Sequence, residues 1–357
     1  MPLNLRFTES DWDRINRDWS AWWAGELNRP LVVLECIEPD NIYEAHFAGT
    51  FLGNFSPETP VDEILNTFIT RIEVTHYLAD SFPRFWPNFG PGIVAAFTGA
   101  EVRPAWDTTW FSPGQTGPAA GLRVACDWEN VWWRRMFQVT RAAVDRWGDQ
   151  LSIGFTDLGG NLDIIAHLRT SQQLLFDVCD APEEVDRLVE ETTRVWLACY
   201  EKIFALVSAG RGITCWGPLW SAGRGYMLQS DFSYMISPKM FRRFVLPDLE
   251  ACCAAMDHAF YHMDGKGQIA HVDMLLSIGR LRGIQWVPGD GNPTPEHWLP
   301  LLKRIRDAGK LCQVTVSPDG ALTIIRELGG KGFCFNISEP QLTPADGAAF
   351  LEVLAKS

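Results

Sequence analysis

The sequence predicts a (β/α)8 barrel with a helical segment ahead of it and an insertion after its second strand. Three observations lead there. Eight short, apolar, β-rich runs are spaced along the chain, with helical periodicity between them. No Gly-x-Gly-x-x-Gly follows the first run, which argues against an open dinucleotide-binding sheet. The chain has 357 residues, 46% hydrophobic and 21% charged, the size and composition of one large globular domain of barrel type.

Residues 1–29 read as an N-terminal helical extension. Trp12, Ile15, Trp19, Trp22 and Trp23 fall on one helical stripe, with Thr8 or Ser10 as the cap and Asp11 and Asp13 in the first turn. The barrel takes residues 30–357. Its first strand is 31–37, opened by Pro30 and closed by Pro39 and Asp40. A helix over about 61–80 leads to a second strand at 92–99, GIVAAFTG. Residues about 101–147 carry six tryptophans among turn residues and form the insertion, on the side where barrels keep their chemistry. The third strand, 151–156, runs into Asp157-Leu158-Gly159-Gly160. A long helix starts at Pro182 and is ended by Gly210. The fourth strand is 212–216, followed by a helix over 238–256 broken near Pro247. Strands five to eight are 258–262, 283–287, 311–316 and 332–337, separated by helices near 268–278, 295–308 and 322–328 and closed by a helix over 343–356.

The charge balance, 31 Lys+Arg against 44 Asp+Glu, gives a net −13 with no basic stripe, which argues against nucleic acid as a partner. No apolar run reaches the length of a membrane span, and the first residues lack the apolar core of a signal peptide. Nine cysteines without CxxC pairs suit a reducing, cytoplasmic setting and not a disulfide framework. The 16 tryptophans serve either as core or as flat binding walls.

In a barrel the reacting groups stand at the C-terminal ends of the strands. The sharpest feature there is Tyr261-His262-Met263-Asp264-Gly265-Lys266-Gly267. Residues two apart on a strand face the same way, so His262 and Asp264 point together into the mouth. An imidazole with a carboxylate can hold a divalent metal or move a proton. A histidine bonded to a turn-forming aspartate is the structural alternative. A second cluster holds Cys215, Trp216, Trp220, Arg224, Tyr226, Gln229 and Asp231. It suits a substrate wall in which Arg224 grips a carboxylate or phosphate, or else a surface loop pinned by tryptophan packing. A third is Trp286 with Asp290, as a stacking ring and an orienting carboxylate, or else a capped tight turn. Glu35, Asp157 and Asn336 complete the candidate substrate contacts, and paired carboxylates beside tryptophans leave a sugar-binding hydrolase open. No Gly-x-Ser-x-Gly, HExxH or paired CxxC is present.

The order of motifs resembles the uroporphyrinogen decarboxylase superfamily. Ile153-Gly154-Phe155 leads into a Gly-Gly turn, then Asp180-Ala181-Pro182-Glu183-Glu184-Val185, with Ala209-Gly210 ending the helix. Asp231, then Ile236-Ser237-Pro238-Lys239-Met240-Phe241 and Phe244-Val245-Leu246-Pro247, and the strand with His262, continue the resemblance across most of 30–350. It implies a (β/α)8 barrel of uroporphyrinogen decarboxylase type, and barrels of that superfamily commonly form homodimers. It also implies either cofactor-free decarboxylation or methyl transfer between corrinoid proteins and other acceptors through a zinc-bound thiolate. The decarboxylases carry an Arg-rich loop after the first strand. Here Glu35-Cys36-Ile37-Glu38-Pro39-Asp40 stands in its place and would repel a polycarboxylate. The methyltransferases are similar in an H-x-C motif. Here His262 matches, Asp264 replaces the cysteine, and the chain near the eighth strand offers Cys334 and Glu339. The resemblance thus implies a methyltransferase-like enzyme acting on a small methylated molecule with a corrinoid protein as partner. Its zinc or other divalent metal would be held by His262, Asp264, and Cys334 or Glu339, in a site richer in oxygen than a zinc–thiolate centre. A metal-free lyase, a glycoside-acting hydrolase and a non-catalytic binding barrel are the alternatives.

Overall fold

The apolar run after Pro30 forms β1 (Leu31–Ile37), whose first four residues are buried. The structure, a computed structural model, describes residues 2–41, 51–106, 108–114, 117–339 and 342–356. Further along lie β2 (Thr75–Ala79), β3 (Arg84–Phe85), β4 (Glu101–Pro104), β5 (Thr109–Ser112), β6 (Ser152–Gly154), β7 (Ile213–Thr214) and β8 (Gly225–Gln229). The remaining strands are β9 (His258–Asp264), β10 (Leu281–Val287), β11 (Leu311–Val316) and β12 (Phe333–Ile337). Seven of them form one sheet in the order β2-β1-β12-β11-β10-β9-β8, parallel except for β2 against β1. A second sheet, β3-β6-β7, is parallel, and β4-β5 is a hairpin. The fold is therefore mixed α/β with a mostly parallel sheet whose strands are joined by helices.

The predicted ring of eight strands is not closed by strand pairing among the described residues. Antiparallel β2 occupies the edge of β1 that the next parallel strand of a ring would use. Just beyond β2, Asp80 and Ser81 take the Val32 and Leu34 N–H groups. The strands of the second sheet have only two or three residues each and leave short ladders.

Residues 92–99 are not a strand. Val94–Phe97 is a short helix whose four side chains are fully buried. Gly92 and Gly99 hold positive φ angles, 80° and 108°, that end extended backbone on both sides. The helix placed over 61–80 stops at Val74 and gives way to β2, and β8 emerges from the segment that the sequence suggests as a substrate wall or surface loop. Residues 101–147 hold the β4–β5 hairpin and the helix Val131–Trp147, capped by Asn130. Trp106 and Trp110 on the hairpin are exposed, whereas Trp133 and Trp147 are buried.

The helix Glu9–Trp23, started by a Thr8–Asp11 capping box, lies over the N-terminal ends of the strands. Three of its buried tryptophans donate the indole N–H to a carbonyl: Trp19 to Asp80 (3.0 Å), Trp22 to Phe333 (3.1 Å) and Trp23 to Trp220 (2.8 Å). Trp22 packs edge-to-face on Trp19 and Trp23 and against Phe260 of β9. All nine cysteines are free thiols. No helix among the described residues is long and apolar enough to cross a membrane.

Candidate functional site

β9 carries Phe260, His262 and Asp264 on one face, as period-two geometry requires. His262 lies opposite Gln285 of β10, and Asp264 opposite Val287. The two groups are not splayed: His262 Nε2 stands 3.9 Å from Asp264 Oδ2. Asp231, two residues past β8, joins them, and one donor atom from each of the three falls within 4.8 Å of the others.

Local sequence explains why Asp231 reaches this point. Gly160 presses against the end of β8: a Cβ on it would lie 2.2 Å from the Gln229 carbonyl oxygen. That close approach brings the helix Asn161–Arg169 in, and Asp163 then accepts the N–H groups of Asp231 (3.0 Å) and Phe232 (2.7 Å). Gly159, with φ of 80°, lies against Gly92 in the same way, which seats the buried turn at 92 beside the site. Trp216, after β7, sets its ring perpendicular to His262 with centroids 4.8 Å apart. A cavity of about 270 Å³ adjoins Asp231 and is lined also by Asp163, His167, Met235, Gly92 and Gly159. None of its lining residues is a lysine or arginine.

Burial pushes Asp157, Asp163 and Asp231 each up to about 7 from the usual 3.8. Neighbouring carboxylates add to this: Asp163 acts on Asp157, Asp231 on Asp163, and Asp264 and Asp157 on Asp231. The N–H groups donated to Asp157 and Asp163 oppose the rise without reversing it. Burial pulls His262 below its ordinary value, against the pull of Gln285 and Asp264. Carboxyls are thus crowded here with no lysine or arginine lining the cavity beside Asp231, and burial shifts the imidazole toward its neutral form, the form that ligates metals.

A pH dependence follows. A carboxyl with a folded value near 7 and an unfolded value near 3.8 favours the folded chain most at low pH, and that advantage is lost as pH rises through 7. Asp248, also raised to about 7 by burial, acts in the same sense. The buried histidines work the other way below 6.5: burial lowers His167 and His258 to about 4, and lowers His262 and His271 as well. From pH 6.5 to 8 the unfolded histidines lose their last protons while the carboxyls, with folded values near 7, make the larger change. The metal-free protein is expected to lose Tm over that window. Added Mn2+ is expected to raise Tm more at pH 8 than at pH 6. A flat or rising metal-free profile contradicts this electrostatic picture.

The other candidate residues are dispersed. Asp157 is buried beside the trio as a like-charged neighbour and accepts the Gly159 N–H at 2.8 Å. Tyr226 is buried, and its hydroxyl accepts the Leu158 N–H at 2.8 Å, so it pins the core. Trp220 is buried near the N-terminal ends, donating to the Arg211 carbonyl at 2.7 Å. Arg224, before the first residue of β8, is held by Glu201 and the Ala255 carbonyl and lies over the Phe204 ring. It therefore grips no substrate in the recess. Trp286 occupies the opposite face of β10 from Gln285, fully buried and edge-to-face with Trp298 at 5.2 Å. Asp290 is exposed on the turn after β10, where Gly289 comes close to Asp264. Glu35 pairs with Arg84 and lines a separate cavity of about 240 Å³. Asn336 donates to Thr315 at 3.2 Å.

Two predicted metal ligands do not join His262. Cys334 is fully buried, its thiol pushed far up by burial, and it sits beside Gln313, three strands from β9 in the sheet. Glu339 is exposed beyond β12. The third member of the cluster is instead Asp231, which the sequence places only in a loop cluster. Its signal is the stretch Gln229-Ser230-Asp231 at the end of an apolar run, the same pattern of strand then carboxylate as in β9. A larger cavity, about 830 Å³, lies elsewhere, between Arg14, Arg29, Asp80 and Leu351. Arg29 there is already held by Asp18 and Asp80.

No protein-family model matches the sequence, and no curated protein matches it. Among solved structures, a methyltransferase from Methanosarcina mazei is similar in fold, with a TM-score of 0.63 at 11% identity. The match covers 96% of this chain and 98% of that one. The two chains share a fold along nearly their whole length.

Proposed function

We propose that the chain is a methyltransferase-like enzyme on a barrel of uroporphyrinogen decarboxylase type, with a divalent cation held by Asp231, His262 and Asp264. The convergence of those three side chains within 4.8 Å carries the reading. The donor set fits such an ion: one neutral imidazole and two carboxylates, in a place where burial and then neighbouring carboxylates raise carboxyls to about 7. Two oxygen donors and one nitrogen make it harder than a thiolate zinc site. The similarity in fold to a methyltransferase supports methyl transfer as the reaction class.

A divalent ion bound here supplies Lewis acidity, lowering the proton affinity of an acceptor group beside it. The chain's own residues do the rest. Asp163 holds the turn that carries Asp231 through two backbone hydrogen bonds. Trp216 fixes the plane of His262 and shields one side of it from water. The cavity beside Asp231, acidic and free of lysine and arginine, selects a small neutral or cationic methyl donor such as a methylated amine and disfavours carboxylates and phosphates. The methyl group would pass to or from a corrinoid protein. A glycan-acting hydrolase is less well supported, because Trp220 and Trp286 point away from the recess and leave Trp216 alone of the predicted stacking rings.

Elemental analysis together with methylcobalamin consumption over an amine, ether and thiol panel tests the reading. One bound divalent ion per chain and demethylation with at least one acceptor are expected. Absence of both overturns it.

A further inference from the structure

Four adjacent strands place one side chain each at the same level. Gln285 of β10 is the register partner of His262 on β9, Gln313 of β11 that of Gln285, and Cys334 of β12 that of Gln313. These side chains touch in series. His262 Nδ1 meets Gln285 Oε1, Gln285 Nε2 donates to Gln313 Oε1 at 2.9 Å, and Gln313 Nε2 approaches Cys334 Sγ at 3.9 Å. Gln285 is 5% exposed, and Gln313 and Cys334 are fully buried, so water does not compete for these groups. An amide with both ends engaged cannot turn over without breaking its neighbour's bond.

We propose that Gln285 and Gln313 are positioning residues that keep the His262 proton on Nδ1, so that Nε2, the nitrogen facing Asp264, presents its lone pair to a cation. The proposal rests on the metal site described above. Gln313 orients Gln285 by accepting its N–H, which leaves the Gln285 oxygen facing Nδ1 of the imidazole. That oxygen can only accept, so Nδ1 must donate. The same relay explains the two buried glutamines on strands whose other inward neighbours are apolar or small. It also gives Cys334 a place as the weak terminal acceptor of the chain, not as a metal ligand.

The test uses full-length, metal-free protein labelled with 15N in histidine, with the His262 signals assigned by their loss in His262→Asn. The wild type is expected to show a protonated Nδ1 and an unprotonated Nε2. Gln285→Glu, whose carboxylate only accepts, is expected to show the same. Gln313→Met, which frees the Gln285 amide to turn, is expected to give a mixture of tautomers and to weaken Mn2+ and Zn2+ binding by about 10- to 100-fold. Combining it with Gln285→Glu is expected to restore both tautomer and affinity, which a merely structural loss would not allow. A wild-type proton on Nε2, or a folded Gln313→Met with an unchanged tautomer, overturns the proposal. If Gln313→Met does not fold, the wild type and Gln285→Glu decide: matching Nδ1 protonation upholds the relay and a mismatch overturns it. A wild type that binds neither metal but carries its proton on Nδ1 upholds the relay and removes the metal reading instead.

Discussion

Replacing His262 by alanine is expected to give a folded protein that has lost its divalent cation and its methyl-transfer activity together. His262 is the only nitrogen donor of the trio, and its side chain keeps 14% of its surface exposed, so its removal is expected to leave the fold standing. The fall in metal affinity should exceed the roughly 100-fold that outer-shell partners cost, because a ligand itself is removed. The rate, kcat/KM, should fall by about 10²–10³, the scale of one electrostatic group at a reacting centre. Asp264→Asn should lose the metal in the same way but differ in stability. It removes the charge that, after burial, contributes most to raising Asp231. The metal-free Asp264→Asn protein should therefore be more stable than the wild type at pH 8. Metal titration and Tm on both variants check this, and an unchanged affinity in either contradicts the assigned ligands.

Trp22→Ala is expected to have the largest effect on stability. Trp22 is 1% exposed, donates to the first carbonyl of β12, and contacts Trp19, Trp23 and Phe260. Truncation removes a large buried ring and also leaves the Phe333 carbonyl without its donor. The cost should be about 3–5 kcal/mol, seen as a fall in Tm on the order of 10 °C. Trp106→Ala is the matched control: with 84% of its surface exposed, its removal should change stability by no more than about 0.5 kcal/mol. Equal effects at the two positions would mean that the helix Glu9–Trp23 does not close the strand ends as described.

How far the fold can be read from the sequence depended on punctuation. Runs such as 31–37, 311–316 and 333–337 are short, β-branched or aromatic, and bounded by glycine or proline, and each forms a strand. The run 92–99 has the same apolar content but no alternation, and two adjacent alanines in it suit a buried helix equally well. β2 was hidden because the apolar spacing of the preceding helix continues through Tyr77 and Leu78. β8 was hidden because turn residues crowd its start.

The site was half legible for a related reason. The pair His262 and Asp264 lies on one strand, where period two decides orientation from sequence alone. Asp231 comes from the turn that follows another strand, β8, and only the pairing of β8 with β9 could show that it meets them. The tryptophans misled because indole rings serve packing as readily as ligands. Trp19, Trp22, Trp23, Trp196 and Trp220 each give their N–H to a backbone carbonyl, the signature of a ring settled in the core.

The central claim is that Asp231, His262 and Asp264 form one cation site. Anomalous diffraction from crystals equilibrated with Mn2+ or Zn2+ tests it most directly. The expected result is a single strong peak between the three side chains, with His262 Nε2 and both carboxylates at about 2.0–2.2 Å. Density elsewhere, or a recess with no peak while the three groups stay in place, would contradict it.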